Sequence, residues 1–572
     1  MASAAAAGVV AALFIRDALA AQASFRAAMA DLPAVEQALL DGDLERFDEL
    51  VAGLQEHTGA ARASTDGPLW WLASRIPVAG SNAAALTLVA EVVDDIAVEV
   101  LPQLATSGAI LADGGLQVSG GRIDLDPIRE AGASLAAAHS VIVGADDKLH
   151  EFDTANLVGE IAGPFDQAVA RTSELRTAVT TGHDITALLP PMLGGDGPRQ
   201  YLVLAQNNAE LRSTGGIPGA LLLISADDGV ITMERQASAA EIGPFAEPVL
   251  ELRPGDVEMF GENPGRFIQD VTLTPQFPVA AELAAQMWRR SHGETVDGVM
   301  AVDAVALSFL LEQIGPIEVE GGATLDASNV VQVLLAEVYL QYTESEDSDA
   351  VFTLAAQAVV ERVLTGGADA AALFSAITRA GEEGRLLIWS AHPDEQERLA
   401  SGSFGSDFDA ATTAVGIFLN DATRSKMSYY FDTETTLIAS SCTDAGRIDT
   451  VELRLTSTLT EEMAQRLPSY VTGIDLPPEL WGTSRTSIGF YSAVDGQVID
   501  IRRDDVAIGG QRYTIDGRDI TVITHDLAPG ESVVFQVSFL AAPGDKVGLT
   551  ELWSSPTWEA SGRYRIEPTY CQ

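Results

Sequence analysis

Lysine is almost missing from this sequence: Lys148, Lys426 and Lys546 are the only three in 572 residues. Positive charge therefore rests on arginine, and there is little of it. Lysine and arginine total 34 against 82 aspartates and glutamates, a formal net charge of -48. A field of that sign excludes charge-driven binding to DNA, RNA or an anionic membrane surface. It suits a protein that stays soluble outside the cytoplasm. Cysteine is as scarce, with only Cys442 and Cys571, which excludes a disulfide-dense scaffold and any cysteine-rich zinc or iron–sulfur centre. Both lie in the last quarter of the chain. They are read either as one disulfide tying the C-terminus to a domain edge or as two buried thiols, and an oxidising compartment favours the disulfide.

Long hydrophobic runs are also lacking. Met1 to Ile15 carry no charge, but Arg16 and Asp17 end the run, short of the roughly 20 apolar residues that a spanning helix needs. No basic segment precedes it, although Ala18–Leu19–Ala20 has the small-residue character of a cleavage site. Two readings stand: the outer end of a membrane anchor, or the first turns of a soluble helix. The first is favoured by the exported character of the composition. The seven histidines are scattered, and there is no G-x-S-x-G elbow, H-E-x-x-H or Walker loop, so neither a hydrolase triad nor a zinc enzyme is expected.

What is present falls into three stretches. From about 16 to 187, apolar residues recur at helical spacing, with breaks at Asp41–Gly42–Asp43, at Pro68–Leu69–Trp70–Trp71 and at Ile76–Pro77. Pro190, Pro191, Gly194, Gly195, Gly197 and Pro198 mark a linker. Strand and helix patterns then alternate to about 400, with a hairpin signal at Asp227–Asp228–Gly229 and a helix that Asp303 caps. From Lys426 onward, period-two alternation such as Val451, Leu453, Leu455 signals an antiparallel sandwich of immunoglobulin-like size. The fold class expected is multidomain α+β: a helical domain over 1–190, an α/β ligand-binding domain over 198–405 and a β-sandwich over 425–572.

The densest polar segment is Gln206–Asn207–Asn208–Ala209–Glu210–Leu211–Arg212–Ser213–Thr214–Gly215–Gly216, directly after the apolar run Tyr201 to Ala205. Read as a loop past a buried strand, it stands where open α/β sheets bind ligands. The competing reading is a polar turn whose asparagines bond their own backbone, with Arg212 paired to Glu210. The candidate ligand-binding residues are Asn207, Asn208, Glu210, Arg212, Thr214, Gly215 and Gly216, joined by Arg235, Arg266 and Asp270. Converging arginines would suit a pyrophosphate. No metal site and no catalytic residue is assigned.

YLVLAQNNAELRSTGGIPGALLLI, FIQDVTLTPQFPVAAELAAQMW and VDGVMAVDAVALSFLLEQIGPIEV, with PLWWLASRIPVAGSN, KMSYYFD and LPSYVTG, closely resemble the bacterial family called domain of unknown function 4012. That resemblance implies an exported, membrane-anchored envelope protein of actinobacteria and other bacteria, and brings no established activity. The order of elements more distantly resembles the LytR-CpsA-Psr fold, whose enzymes transfer a polyprenyl pyrophosphate-linked glycan to a wall acceptor. This resemblance implies arginines on the pyrophosphate and aspartates on magnesium. Here Asn207 stands about where that family has its first metal aspartate, and an amide is a poorer magnesium ligand. Ala237–Ser238–Ala239 replaces a Pro-Arg-Asp segment, and Tyr339 and Gln341 replace an arginine pair. Magnesium thus lacks its expected carboxylates. The expected function is binding of a polyprenyl-linked or cell-wall glycan ligand at the extracytoplasmic face of the membrane, without strong catalysis. A divergent phosphotransferase attaching glycopolymer to the wall, and a structural adhesion or assembly protein, are the alternatives. The expected partners are the wall glycan or polyprenyl-linked lipid, and the membrane through the N-terminal anchor, with no nucleic acid.

Overall fold

The computed structural model describes residues 2–40, 43–76, 80–110, 118–119, 122–319, 323–342, 344–365, 370–402, 404–423, 425–444, 446–473, 477, 480–542 and 549–566. The protein is mixed α+β, its N-terminal part almost wholly helical and the rest built of several sheets with helices between their strands. Two compact units divide it, residues 1–117 with 123–196, and 118–122 with 197–572.

The first unit is helical. Ala2–Leu40 and Leu44–Thr65 pack as a hairpin, and Gly80–Asp95 continues through a π-helical turn, Ile96–Val100, into Leu101–Ile110. Asp126–His150 pairs with Gly159–Met192. Alanine lines many of the contacts, as at Ala28, Ala38, Ala97 and Ala105 around Phe47 and Leu54, which lets helices approach closely. The prolines expected to open the linker, Pro190 and Pro191, instead form the last turn of Gly159–Met192. Gly194 closes that turn at φ 79°, and the Gly195 amide donates to Pro190 O at 2.8 Å, the usual glycine-ended helix stop. The linker is therefore shorter, and a strand begins at Arg199.

The second unit holds a seven-stranded sheet. Its centre is Arg199–Arg212, antiparallel to Gly215–Asp227, which is antiparallel in turn to Val230–Ser238. The Asp228–Gly229 turn takes positive φ at both residues, 47° and 79°, as a tight two-residue hairpin requires. On its other side Arg199–Arg212 runs parallel to Gly298–Asp303, which pairs antiparallel with Leu386–Ser390. Helix Phe277–His292 covers one face through Phe277, Ala281, Met287 and Trp288. Helix Ala304–Ile314 and the helical segments from Val330 to Thr365 cover the other through Leu307, Leu334, Leu335 and Phe352.

Two further sheets, of six and five strands, share one core that includes Ile417, Leu453, Phe490 and Phe535. The pairing is antiparallel except that Val415–Asp421 runs parallel to Glu551–Ser554. The six-stranded sheet thus takes in a strand from Val415, upstream of the boundary expected at 425. By contact, all three sheets belong to the same compact unit.

Candidate functional site

The segment read as a ligand loop is not a loop. Strand Arg199–Arg212 continues through it, and the turn to Gly215–Asp227 is only Ser213–Thr214. Pairing passes from Asn207 opposite Ile217 directly to Leu211 opposite Gly216, so Asn208, Ala209 and Glu210 bulge without partners across the ladder. A bulge re-aims side chains that strict alternation would place elsewhere. Gly215 and Gly216 are consumed by this pairing and do not form an open cradle of amides. A Cβ on Gly216 would sit 2.2 Å from Asn207 O, so the close approach of the two strands demands glycine there.

The bulge lies beside the end of the parallel strand Gly298–Asp303, where Gln206 is level with Asp303. Two polar clusters grow from it. In the first, Asn207 Nδ2 donates to Tyr339 Oη at 2.8 Å, while Asn207 Oδ1 accepts the Ala209 amide at 3.0 Å. Next to it the Lys426 ammonium pairs with Glu210, stands 3.5 Å from Asp349 Oδ1 and lies over the Tyr339 ring. Burial works to lower the Lys426 pKa, but the carboxylates of Glu210 and Asp349 outweigh it and hold the ammonium charged. Burial pushes the Tyr339 phenol above its ordinary range. In the second cluster, Asn208 Nδ2 donates to Asp303 Oδ2 at 3.1 Å. Asp303 also caps helix Ala304–Ile314, its Oδ1 accepting the Ala306 amide at 2.8 Å. Arg385, whose side chain is 1% exposed, donates to Asp303 Oδ2 at 2.9 Å and to the carbonyls of Thr557 and Ala560 at 2.8 Å each.

Arg212 does not pair with Glu210. Its Nη2 meets Asp270 Oδ1 at 3.3 Å and its Nη1 donates to the carbonyls of Leu211 and Asp421. Asp421 is buried, and burial raises its pKa to about 6 against the hydrogen bonds it accepts from Thr423 and Ser425. Of the candidate residues, then, the fold brings Arg212 and Asp270 together. Thr214 joins from the turn, its Oγ1 3.3 Å from Gln206 Nε2. Arg235 and Arg266 do not converge there. Arg235 lies across from Leu223, itself opposite Leu202, well down the sheet, and pairs with part-buried Glu294. Arg266 Nε donates to Phe245 O.

The carboxyl edge of the parallel strands is therefore occupied by the chain itself. Gln206 Oε1, Asn208 Oδ1 and Arg212 Nε are buried without a partner. The cavity lined by Ser213, Thr214 and Pro556 measures only ≈ 10 Å³, room for about one water and for no ligand. Among the described residues no three histidine, cysteine, aspartate or glutamate side chains gather as metal ligands. Cys442 is disulfide-bonded, on strand Phe431–Thr443. Cys571, its expected partner, lies outside the described residues.

A larger cavity, ≈ 620 Å³ and open to solvent, lies elsewhere on the second unit. Glu247, Glu251 and Glu262 line it, with Leu250, Leu252 and Arg290. Arg290 is partly spent, its Nη2 donating to Val249 O at 2.7 Å. Sequence reasoning missed this groove because the run 247–252 has neither helical nor strand period and Arg290 joins it only through the fold. It also missed Lys426, Arg385 and Asp421 as partners of the polar strand end. The rarity of lysine singles out Lys426; Arg385 carries no comparable signal.

Residues 196–339 match a family model described as a protein of unknown function (DUF4012). The match contains Asn207, Asn208, Arg212, Asp303 and Tyr339, but not Arg385 or Lys426. No curated protein matches the chain.

Proposed function

We propose that this chain is an extracytoplasmic cell-envelope protein that binds a cell-wall glycan, without catalysing its transfer, in the groove lined by Glu247, Glu251 and Glu262. The groove carries this reading. Exposed carboxylates accept hydrogen bonds from sugar hydroxyls, and Leu250 and Leu252 offer apolar surface to the faces of sugar rings. The same carboxylates repel a pyrophosphate. In this reading the central domain keeps the order of elements of the LytR-CpsA-Psr fold, but its polar strand end has become an internal brace. Support comes from Arg212, engaged with Asp270 and Asp421 O, and from Arg235 and Arg266, which point to other partners.

The test is titration of soluble wall-glycan fragments into the full chain, followed by calorimetry. Binding is expected, with Glu251→Ala and Glu262→Ala each weakening it several-fold while Arg235→Ala leaves it unchanged. Absence of binding to any wall glycan would leave the adhesion or assembly role in its place. Co-purification of a polyprenyl phosphate, lost in Arg212→Lys, would instead favour the transferase reading.

A further inference from the structure

The short helix Pro68–Ala73 turns adjacent tryptophans opposite ways. Trp70 is 3% exposed and anchors the helix, whereas Trp71 is 59% exposed, with Leu72 at 57% and Ile76 at 52% beside it. The Arg75 guanidinium lies over the Trp71 ring, 4.0 Å from its centroid. The chain folds back here: the Gly80 amide donates to Ile76 O at 2.8 Å, and Gly80 packs so tightly on Ser74 O that a Cβ would meet it at 2.3 Å. Asn82, two residues on, accepts the Val158 amide at 2.9 Å, which brings a further exposed valine to the same end of the helical unit.

Two independent features say what covers this apolar end. The first is charge. Between Asp66 and Glu91 the sequence contains no acid and one base, Arg75, in a chain of net charge -48. The second is position. Helices Ala2–Leu40 and Leu44–Thr65 form a hairpin, so at equal rise per residue the end of the second comes level with the region of Leu19 in the first. Pro68–Ala73 then packs on that first helix. The Trp71 end therefore stands where the charge-free stretch of the first helix, residues 2–15, begins.

We propose that the end of the helical unit bearing Trp71, Leu72 and Ile76 seats in the headgroup layer of a lipid bilayer. Tryptophan with one wet edge and one apolar face is suited to that layer, and Arg75 keeps its charge among headgroups while its stem lies along the ring. The acidic remainder of the protein cannot approach an anionic surface, so repulsion orients the molecule with this end toward lipid. The inference shares only its membrane placement with the glycan reading. The glycan titration uses no lipid, so either can fail alone.

The test uses the full chain with Leu72→Cys, labelled without reductant by a polarity-sensitive fluorophore, and phosphatidylcholine vesicles, whose neutral surface isolates the apolar contribution. The emission is expected to shift to the blue on adding vesicles. The double variant Trp71→Ser, Ile76→Ser, unchanged in circular dichroism, is expected to lower vesicle partitioning about tenfold or more. An unshifted label while the protein sediments with vesicles would overturn the proposal. So would a blue shift that rises with protein concentration in the absence of lipid, which would assign this end to a second copy of the chain.

Discussion

Arg385 and Asp303 show how much a single buried charge can depend on its neighbour. Each side chain is almost fully enclosed, and each uses its remaining hydrogen-bonding capacity on named partners: the Ala306 amide and Asn208 for Asp303, the Glu383 carboxylate and the Thr557 and Ala560 carbonyls for Arg385. Arg385→Met removes one charge and strands the other, and is expected to cost about 3–5 kcal/mol in urea denaturation. Arg235→Met, at a half-exposed pair with Glu294, should change stability by less than about 1 kcal/mol. Asp421 gives the pH dependence. Its folded pKa, about 6, lies above the ordinary 3.8, so the fold disfavours its charged form. That penalty is full above about pH 6 and fades as pH falls from there through 3.8, below which the acid is protonated in both states. The Asp421 contribution to stability should therefore rise by up to about 3 kcal/mol on acidification through that window. Comparing wild type with Asp421→Asn across the window isolates it, since the difference between the two proteins should follow the titration; a difference that stays flat with pH would exclude the assignment.

At the scale of elements, periodicity was a faithful guide wherever burial followed it. The helix that Asp303 caps, Ala304–Ile314, and the hairpin turn at Asp228–Gly229 form where the sequence pattern places them, the helix because it buries a continuous apolar face. The segment Gln206–Gly216 misled for a physical reason. Asparagine, serine and glycine are turn formers in isolation, and nothing in their local order reveals that Tyr339, Asp303, Lys426 and Ser428 will approach from distant parts of the chain to satisfy them. Tertiary partners overrode local propensity. The proline pair at 190–191 misled in the opposite direction: helix Gly159–Met192 runs through both although each removes an amide donor, and the stop comes at Gly194. Gly216→Ala tests the paired geometry of the bulged hairpin. The added methyl meets backbone, not a movable side chain, so a loss of about 2 kcal/mol or more is expected in thermal unfolding. A loop in the same place would absorb the change.

For the whole molecule, composition determined more than any motif. A net charge of -48 repels itself in the compact state, so raising salt from about 10 mM to about 0.5 M should raise the thermal midpoint by screening. An unchanged midpoint would mean the acids are already compensated by their neighbours. The scarcity of cysteine makes one further check simple. Peptide mapping without reduction is expected to join the Cys442 peptide to that of Cys571.

The brace around Asn208 also bears on synthesis. Asn208 and Arg385 reach the carbonyls of Pro556, Thr557 and Ala560, 348 residues beyond Asn208 and 172 to 175 beyond Arg385, so these partners leave the ribosome long after them. The segments of the helical unit all lie before residue 197. The central sheet cannot close its polar edge until the C-terminal strands have arrived, so a chain truncated before Pro556 should hold its first unit and expose the second to chaperones and proteases. The central sheet and the segment from Pro556 to Ala560 thus stand or fall together, however far apart they lie along the chain.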